Sequence, residues 1–341
     1  MRQERRLPMI LAPITIAIHT FGRDARQQLI DDVRSGLTRP RKSLRPRWFY
    51  DDRGSSLFDA ITQLPEYYLT RTEDAILRSV AAEVVAATRP ETIVELGAGS
   101  AEKTRVLIQA GMRDRLSCFV PFDVSETTLQ QTARRLASEF RSLAVYAVVG
   151  SFGEHLDRLP RHGRQLVVFL GSTIGNFEDQ EMVDFLGSVR RLLQPGDAFL
   201  LGVDLVKDES LLMAAYNDAQ GVTAEFNLNV LRVLNKELGA GFRLEAFDHL
   251  AVFNREQSRM EMYLRARERQ RVAIPGAGLT VDFESGELLM TEICAKFSRQ
   301  SIEHRLGASG LSVARWYTDP REWFAVCLCF SHSEPTDLSS S

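Results

Sequence analysis

The stretch "TIVELGAGSAEKTRVLIQAG", Thr92 to Gly111, decides the fold. "TIVEL" is a short apolar run with β-branched residues, suited to a buried strand. Gly97 and Gly99 follow it, and "EKTRVLIQAG" has helical spacing. The glycines therefore sit on a strand-to-helix turn, where a cofactor can approach backbone N–H groups at a helix N-terminus. The turn matches neither common nucleotide loop. Glu102 stands where a G-x-G-x-x-G pattern has its third glycine, and the G-x-x-x-x-G-K-[ST] spacing is absent. Alone, a tight turn that needs glycine for packing explains it equally well.

The same alternation continues outward. "LSCFVPFDV", "AVYAVVG", "RQLVVFLG" and "DAFLLGVDL" read as strands, and "SETTLQQTARRLASEF" and "EDQEMVDFLGSVRRLL" as helices, the first capped by Ser125. Strands alternating with helices predict a mostly parallel sheet covered on both faces. Upstream, "RDARQQLIDDVRSGL" reads as a helix ending near Gly36. "TRPRKSLRPRWFYDDRGSSLF" reads as irregular, and helical spacing then resumes with a break around Pro65.

After Asp204 the rhythm changes. Two helical stretches, "SLLMAAYNDAQ" and "TAEFNLNVLRVLNKELG", precede alternating strands "AFDHLAVF" and "SRMEMYLRARER". "LTVDFESGELLMTEICAKF" reads as a strand pair around Ser285-Gly286. This is an inserted α+β region. A helix from Ser301 to about Ser309 and the strands "LSVARWYTD" and "WFAVCLCFS" then complete the sheet antiparallel at its edge. Residues 333–341 read as a disordered tail.

Composition excludes several classes. The net charge of −3 provides no strong field for nucleic acid or an anionic membrane. Cys118, Cys294, Cys327 and Cys329 form neither zinc spacing nor a disulfide framework, so no metal is expected and a reducing, cytoplasmic compartment is. "MRQERRLPMILAPITIAIHT" imitates a signal peptide, yet two prolines interrupt it and no small-x-small site follows. Ile14, Ile16 and Ile18 alternate as in a strand. No segment is long and apolar enough to span a bilayer.

In an open parallel sheet, ligands bind beyond the carboxyl ends of the strands. Gly97 and Gly99 follow the first core strand, Asp123 the second, Ser151 the third and Asn176 the fourth. An acid 24 residues past Gly99 suits the ribose hydroxyls of an adenosine ligand. Both NAD and S-adenosylmethionine meet that description.

The ordered set "WFYDDRGSSLFDAITQLPEYYLTRTE", "ELGAGSAEKTR", "VPFDVS", "VVFLGSTIGNF", "LLGVDLVKD", "YNDAQGVTAEFNLNVLRVLNKELGA", "MEMYLRAR" and "TEICAKF" resembles the histidine Nα-methyltransferase family of ergothioneine biosynthesis, which makes hercynine. The resemblance covers about Arg23 to Phe330, nearly the whole chain. It implies an α/β, class I methyltransferase core, Rossmann-like, with a mostly parallel sheet and an antiparallel edge. It also implies an α+β substrate-binding domain built from an N-terminal segment and an insertion after the fifth core strand. Residues 1–69 and 206–290 would form that domain, and 70–205 with 291–332 the core.

The resemblance further implies that the cofactor is S-adenosylmethionine, leaving as S-adenosylhomocysteine. Gly97, Gly99, Lys103 and Asp123 would bind it, with Ser151 near the adenine. Tyr67, Asn176 and Tyr216 would hold the carboxylate and amine end of an amino-acid substrate. Tyr50 would lie near the reacting amine, and Asn176 is also a catalytic candidate. Glu292 would bind the imidazole, with Cys294 and Met262 beside it. A monomer without nucleic-acid or membrane partners is expected. Glu292 and Cys294 are two apart on a predicted strand, so both face one side.

Two positions depart from the family pattern. An acid is expected where Ser151 stands, and a serine where Cys294 stands. A thiol is a weak donor and acceptor, which bears on the strictness of histidine preference. The same fold acting on tryptophan or a histidine derivative is one alternative. An NAD-binding oxidoreductase and a non-catalytic scaffold are others.

Overall fold

The computed structural model describes residues 14–18, 25–152 and 155–331. The expected tail at 333–341 lies outside the described residues. The chain opens with β1 (Ile14–Ile18), α1 (Ala25–Leu37), α2 (Asp52–Thr62) and α3 (Tyr68–Thr88). Strand and helix then alternate through β2 (Thr92–Leu96), α4 (Arg105–Gly111), β3 (Cys118–Asp123), α5 (Glu126–Glu139) and β4 (Ala144–Val149). β5 (Gln165–Phe169), α6 (Asp179–Leu192) and β6 (Ala198–Asp204) continue the series. Next come α7 (Glu209–Tyr216), α8 (Val222–Leu238), β7 (Phe247–Asn254), β8 (Arg259–Ala266), β9 (Gln270–Ile274), β10 (Leu279–Phe283) and β11 (Leu288–Ala295). The chain returns through α9 (Arg299–Ala308), β12 (Leu311–Thr318) and β13 (Phe324–Ser331).

Eight strands make one sheet in the order β1-β4-β3-β2-β5-β6-β13-β12. All pairs from β1 to β6 are parallel, and β13 and β12 close the edge antiparallel. The direction of winding reverses between β2 and β5, so the ligand crevice of the sheet opens at their carboxyl ends. Alternation along each strand sends residues to opposite faces. Ile93, Phe119, Leu166 and Leu200 pack against α3, α4 and α5. Val94, Phe122, Phe169 and Phe199 pack against Met182 and Phe185 of α6 and Ile302 and Leu306 of α9.

A three-stranded antiparallel sheet, β11-β8-β7, stands beside this core, with β10 and β9 as a separate ladder. The strand pair expected around Ser285-Gly286 is therefore corrected. Both strands exist, but β10 pairs with β9 and β11 with β8. β9 had no counterpart in the sequence reading. A second correction concerns "DDRGSSLF", expected irregular, which forms the start of α2. Asp51 caps that helix by accepting from the Gly54 N–H at 2.8 Å.

One register feature aims the second sheet. Between Met290 and Glu292 the β11–β8 ladder shifts by one residue, leaving Thr291 as a bulge. Thr291 Oγ1 donates to the Met262 carbonyl at 3.0 Å and fixes the bulge. Beyond it Glu292 pairs with Met262 and Cys294 with Met260, so these four residues share a face.

Glycine also makes room beneath the crevice. Gly202 on β6 lies against the fully buried carboxylate of Glu73 on α3. A methyl group at position 202 would fall 2.0 Å from Glu73 Oε1 and 3.2 Å from the Phe324 ring. Gly202→Ala is expected to destabilise the fold by about 1–3 kcal/mol through overpacking. Chemical denaturation checks this, and an unchanged midpoint would mean that the carboxylate is not seated there.

Candidate active site

The turn after β2 uses left-handed backbone that glycine adopts without strain. Gly97 and Gly99 adopt φ of +67° and +48°, and nothing lies within 4 Å of where a Gly99 Cβ would be. Asp123, at the end of β3, accepts from the Gly99 N–H at 2.9 Å and the Ser125 N–H at 3.0 Å. Burial raises its carboxyl above the usual range despite these bonds. Ser151 follows β4, and its N–H donates to His155 Nδ1 at 3.3 Å. Glu95, two residues before Gly97, is buried and accepts from Thr104 Oγ1 at 2.5 Å; its Oε2 has no partner. Burial pushes Glu95 up to about 8.

Glu73 connects this turn to the one after β5. Its two carboxylate oxygens accept from the Gly171 N–H at 2.8 and 2.9 Å, and Lys103 Nζ donates to it at 2.5 Å. Lys103 is thereby held against Gly171, a residue that lines a neighbouring cavity.

That cavity encloses about 550 Å³, open mouth included, and it collects Tyr50, Tyr67, Asn176, Tyr216, Met262, Glu292 and Cys294. Phe58, Ile61, Thr173, Thr223 and Phe226 complete much of the wall. The seven predicted residues come from six separate parts of the chain. Tyr50 packs edge-on to Phe226 and Phe58, with ring centroids 5.5 and 5.8 Å apart. Asn229 Nδ2 on α8 secures the preceding turn by donating to the Phe49 carbonyl at 3.0 Å and to Asp51 Oδ1 at 2.7 Å.

Asn176 ends a short 3₁₀ turn, Thr173–Asn176, that lies against β11. The approach depends on Gly175, where a Cβ would meet the Ala295 carbonyl at 2.9 Å. Close contact lets Asn176 Nδ2 donate to Glu292 Oε1 at 2.9 Å. Burial pushes Glu292 up to about 7, against the opposing pull of Lys296 and Asn176. The Tyr50, Tyr67 and Tyr216 phenols are raised well above their ordinary range, chiefly by burial. They are neutral hydroxyls near pH 7, and Cys294, also raised by burial, is a thiol.

Sequence reasoning missed Glu73, Lys296 and the apolar wall. Phe226 belongs to the buried face of α8. Lys296 sits two residues past Cys294, a spacing that would have placed it on the same side. Glu73 gave no local signal. Its partners lie 30 and 98 residues away. Among the described residues no group of acidic, His or Cys side chains could hold a metal ion.

The family model described as histidine-specific methyltransferase, SAM-dependent, matches residues 29–331. The chain is 48% identical over 317 residues to the histidine N-alpha-methyltransferase of Mycolicibacterium smegmatis, covering 92% of this chain and 98% of that protein. It is 49% identical to the Mycobacterium tuberculosis protein of the same name, with the same coverage. Ergothioneine biosynthesis protein 1 of Schizosaccharomyces pombe is 29% identical, covering 74% of this chain and 34% of that longer protein.

The buried Glu292 has a measurable consequence. Its carboxyl is raised from 4.5 to about 7 on folding, so the folded state holds the proton more tightly. Its contribution is favourable at low pH and is lost as pH rises from 4.5 to about 7. Relative to Glu292→Gln, the wild type should lose stability of order 1–3 kcal/mol across that window. Denaturation of both at several pH values checks it; parallel curves would place the carboxylate in solvent.

Proposed function

The chain belongs to the histidine-specific, S-adenosylmethionine-dependent methyltransferase family, and from that premise we propose that it methylates the α-amino nitrogen of L-histidine, successively, to the betaine hercynine. The observation that carries this reading is the placement of Glu292. Its carboxylate lines a half-open cavity shared with three tyrosines and Asn176, and Gly171 of the same lining lies against Lys103 from the turn after β2.

The residues at that edge fit the cofactor. Open space beside Gly99 admits a ligand to the backbone, and the Asp123 carboxylate is positioned for ribose hydroxyls. Gly97 borders the same turn. Lys103 would meet the amino-acid carboxylate of the cofactor, and Ser151 its adenine. S-adenosylmethionine supplies a methyl group bonded to a sulfonium, activated for displacement by a neutral amine.

The chain contributes position. Tyr67, Asn176 and Tyr216 hold the carboxylate and amine end of histidine, while Glu292 accepts from a ring N–H, a charge-assisted bond. Met262 and Cys294 border the ring. Tyr50 lies by the amine. Because burial keeps these phenols protonated, they orient the amine as neutral hydrogen-bond partners and do not remove its proton as phenolates. Holding the amine in line with the methyl converts much of the barrier into binding already done. The aromatic faces of Tyr50, Phe58 and Phe226 suit an ammonium that grows with each methyl.

In this reading residues 70–205 with 291–332 form the cofactor-binding core, which also lends Asn176, Glu292 and Cys294 to the substrate cavity, and residues 1–69 with 206–290 form the α+β substrate-binding domain. Four free, buried thiols support a reducing, cytoplasmic setting. No helix among the described residues is long and apolar enough to cross a membrane.

Incubation with S-adenosylmethionine and single amino acids, read by product mass, tests the reading. Histidine should gain up to three methyl groups, and tryptophan should react far more slowly. Methylation of tryptophan in preference to histidine would overturn the substrate assignment. Independently, Asp123→Ala should weaken S-adenosylhomocysteine binding by about 1–3 kcal/mol. Calorimetric titration measures this, and unchanged affinity would remove Asp123 from the cofactor site.

A further inference from the structure

Behind the cavity wall lies a lysine that the proposed reaction does not use. Lys296 is fully buried, and its ammonium has three donors. All three are engaged: Asp204 Oδ2 at 2.8 Å, Tyr216 Oη at 2.8 Å and Cys294 Sγ at 3.2 Å. Asp204 is itself fully buried and is shared with Lys207 and Tyr68. Burial alone would disfavour the Lys296 ammonium, but Asp204 outweighs it and holds the group well above the ordinary lysine range. Lys296 is a permanent donor in a fixed place.

An ammonium can only donate. A phenol and a thiol can each donate one proton and accept through lone pairs. Lys296 therefore occupies an accepting position on both Tyr216 and Cys294. These two also bond to each other, so one of their two protons is spent between them and one is left for the cavity that both line. We propose that Lys296 is a positioning residue that sets hydrogen-bond polarity from behind the wall, so that the Tyr216–Cys294 pair donates toward the substrate. The inference rests on the histidine reading above and deepens it. Donation through Tyr216 selects an acceptor-only carboxylate. Donation through Cys294, opposite an accepting Glu292, selects one neutral tautomer of the ring, with its N–H toward Glu292 and its bare nitrogen toward Cys294.

Lys296→Met is the first variant. It leaves Asp204 paired with Lys207 and Tyr68, so no buried carboxylate is orphaned. Histidine is compared with histidinamide, whose terminal group can both donate and accept, as substrate or as competitive inhibitor. The preference for histidine should fall by about five- to tenfold, carried by KM, with affinity for S-adenosylhomocysteine unchanged. A general loss of structure would weaken both compounds alike. In a Tyr216→Phe background there is no hydroxyl to orient, so adding Lys296→Met should leave the preference nearly where it was. An undiminished effect in that background, or an unaltered preference in the single variant, overturns the proposal. Failure of the wild type to methylate histidine would instead overturn the functional reading.

A measurement on the unaltered protein stands even if the variants do not fold. The chain has only five lysines, Lys42, Lys103, Lys207, Lys236 and Lys296, so their side-chain NMR signals can be resolved. One should remain an ammonium, protected from solvent exchange, through the ordinary lysine titration near about 10.4. If every lysine titrates at or below that value, Lys296 is not a fixed donor and the proposal fails.

Discussion

Much of the site depends on one buried carboxylate. Asp204 ends β6, the last parallel strand of the large sheet, and has no solvent exposure. Tyr68 from α3, Lys207 from the following loop and Lys296 from the end of β11 converge on its two oxygens. Its backbone N–H donates to Ser172 Oγ at 2.9 Å, and its carbonyl accepts from the Phe297 N–H at 2.9 Å. The turn that carries Asn176, the strand that carries Glu292 and the helix that follows Tyr67 are thus tied to one point. Leaving such a buried carboxylate with no cation commonly costs about 3–5 kcal/mol, and here two lysines share it. Burial lowers Lys207 to about 8 even beside Asp204, a sign of how dry the junction is.

Two local irregularities convert that anchorage into a binding surface. The bulge at Thr291 reverses which face of β11 its later residues present, and so brings Glu292 and Cys294 onto the side of Met262. Gly175 lets the Asn176 turn approach β11 more closely than any side chain would allow. The result is a cavity with a carboxylate, a thiol and three neutral phenols, beside a glycine turn suited to an adenosine cofactor. The same Glu73 carboxylate that packs on Gly202 also holds Lys103 against Gly171 of the cavity lining.

Local signals made the core legible. The alternation from Thr92 to Asp204 marked each parallel strand, and the late strands appeared at the antiparallel edge as expected. Ser125 was readable as a cap because capping is a contact within one turn. Asp51 carries the same signal, but basic and proline-bearing neighbours mask it. What the sequence concealed was partner choice. β10 and β11 flank a Ser-Gly turn, yet each pairs with a different strand. Glu73 and Lys296 look like solvated charges in sequence, and only distant partners reveal them as buried. The Asn176–Glu292 hydrogen bond spans 116 residues and rests on a glycine whose spacing alone says nothing of β11.

In the proposed orientation the cavity presents the α-amine of histidine, not its ring, to the methyl group, with the ring toward Glu292 and Cys294 and the cofactor toward Gly171 and Lys103. NMR of the product made from ¹³C-methyl-labelled S-adenosylmethionine and histidine tests this directly, because each labelled carbon reports the nitrogen it is bonded to. Every labelled methyl should be on the α-nitrogen. A methyl on either imidazole nitrogen would reverse the orientation of the substrate and contradict the account.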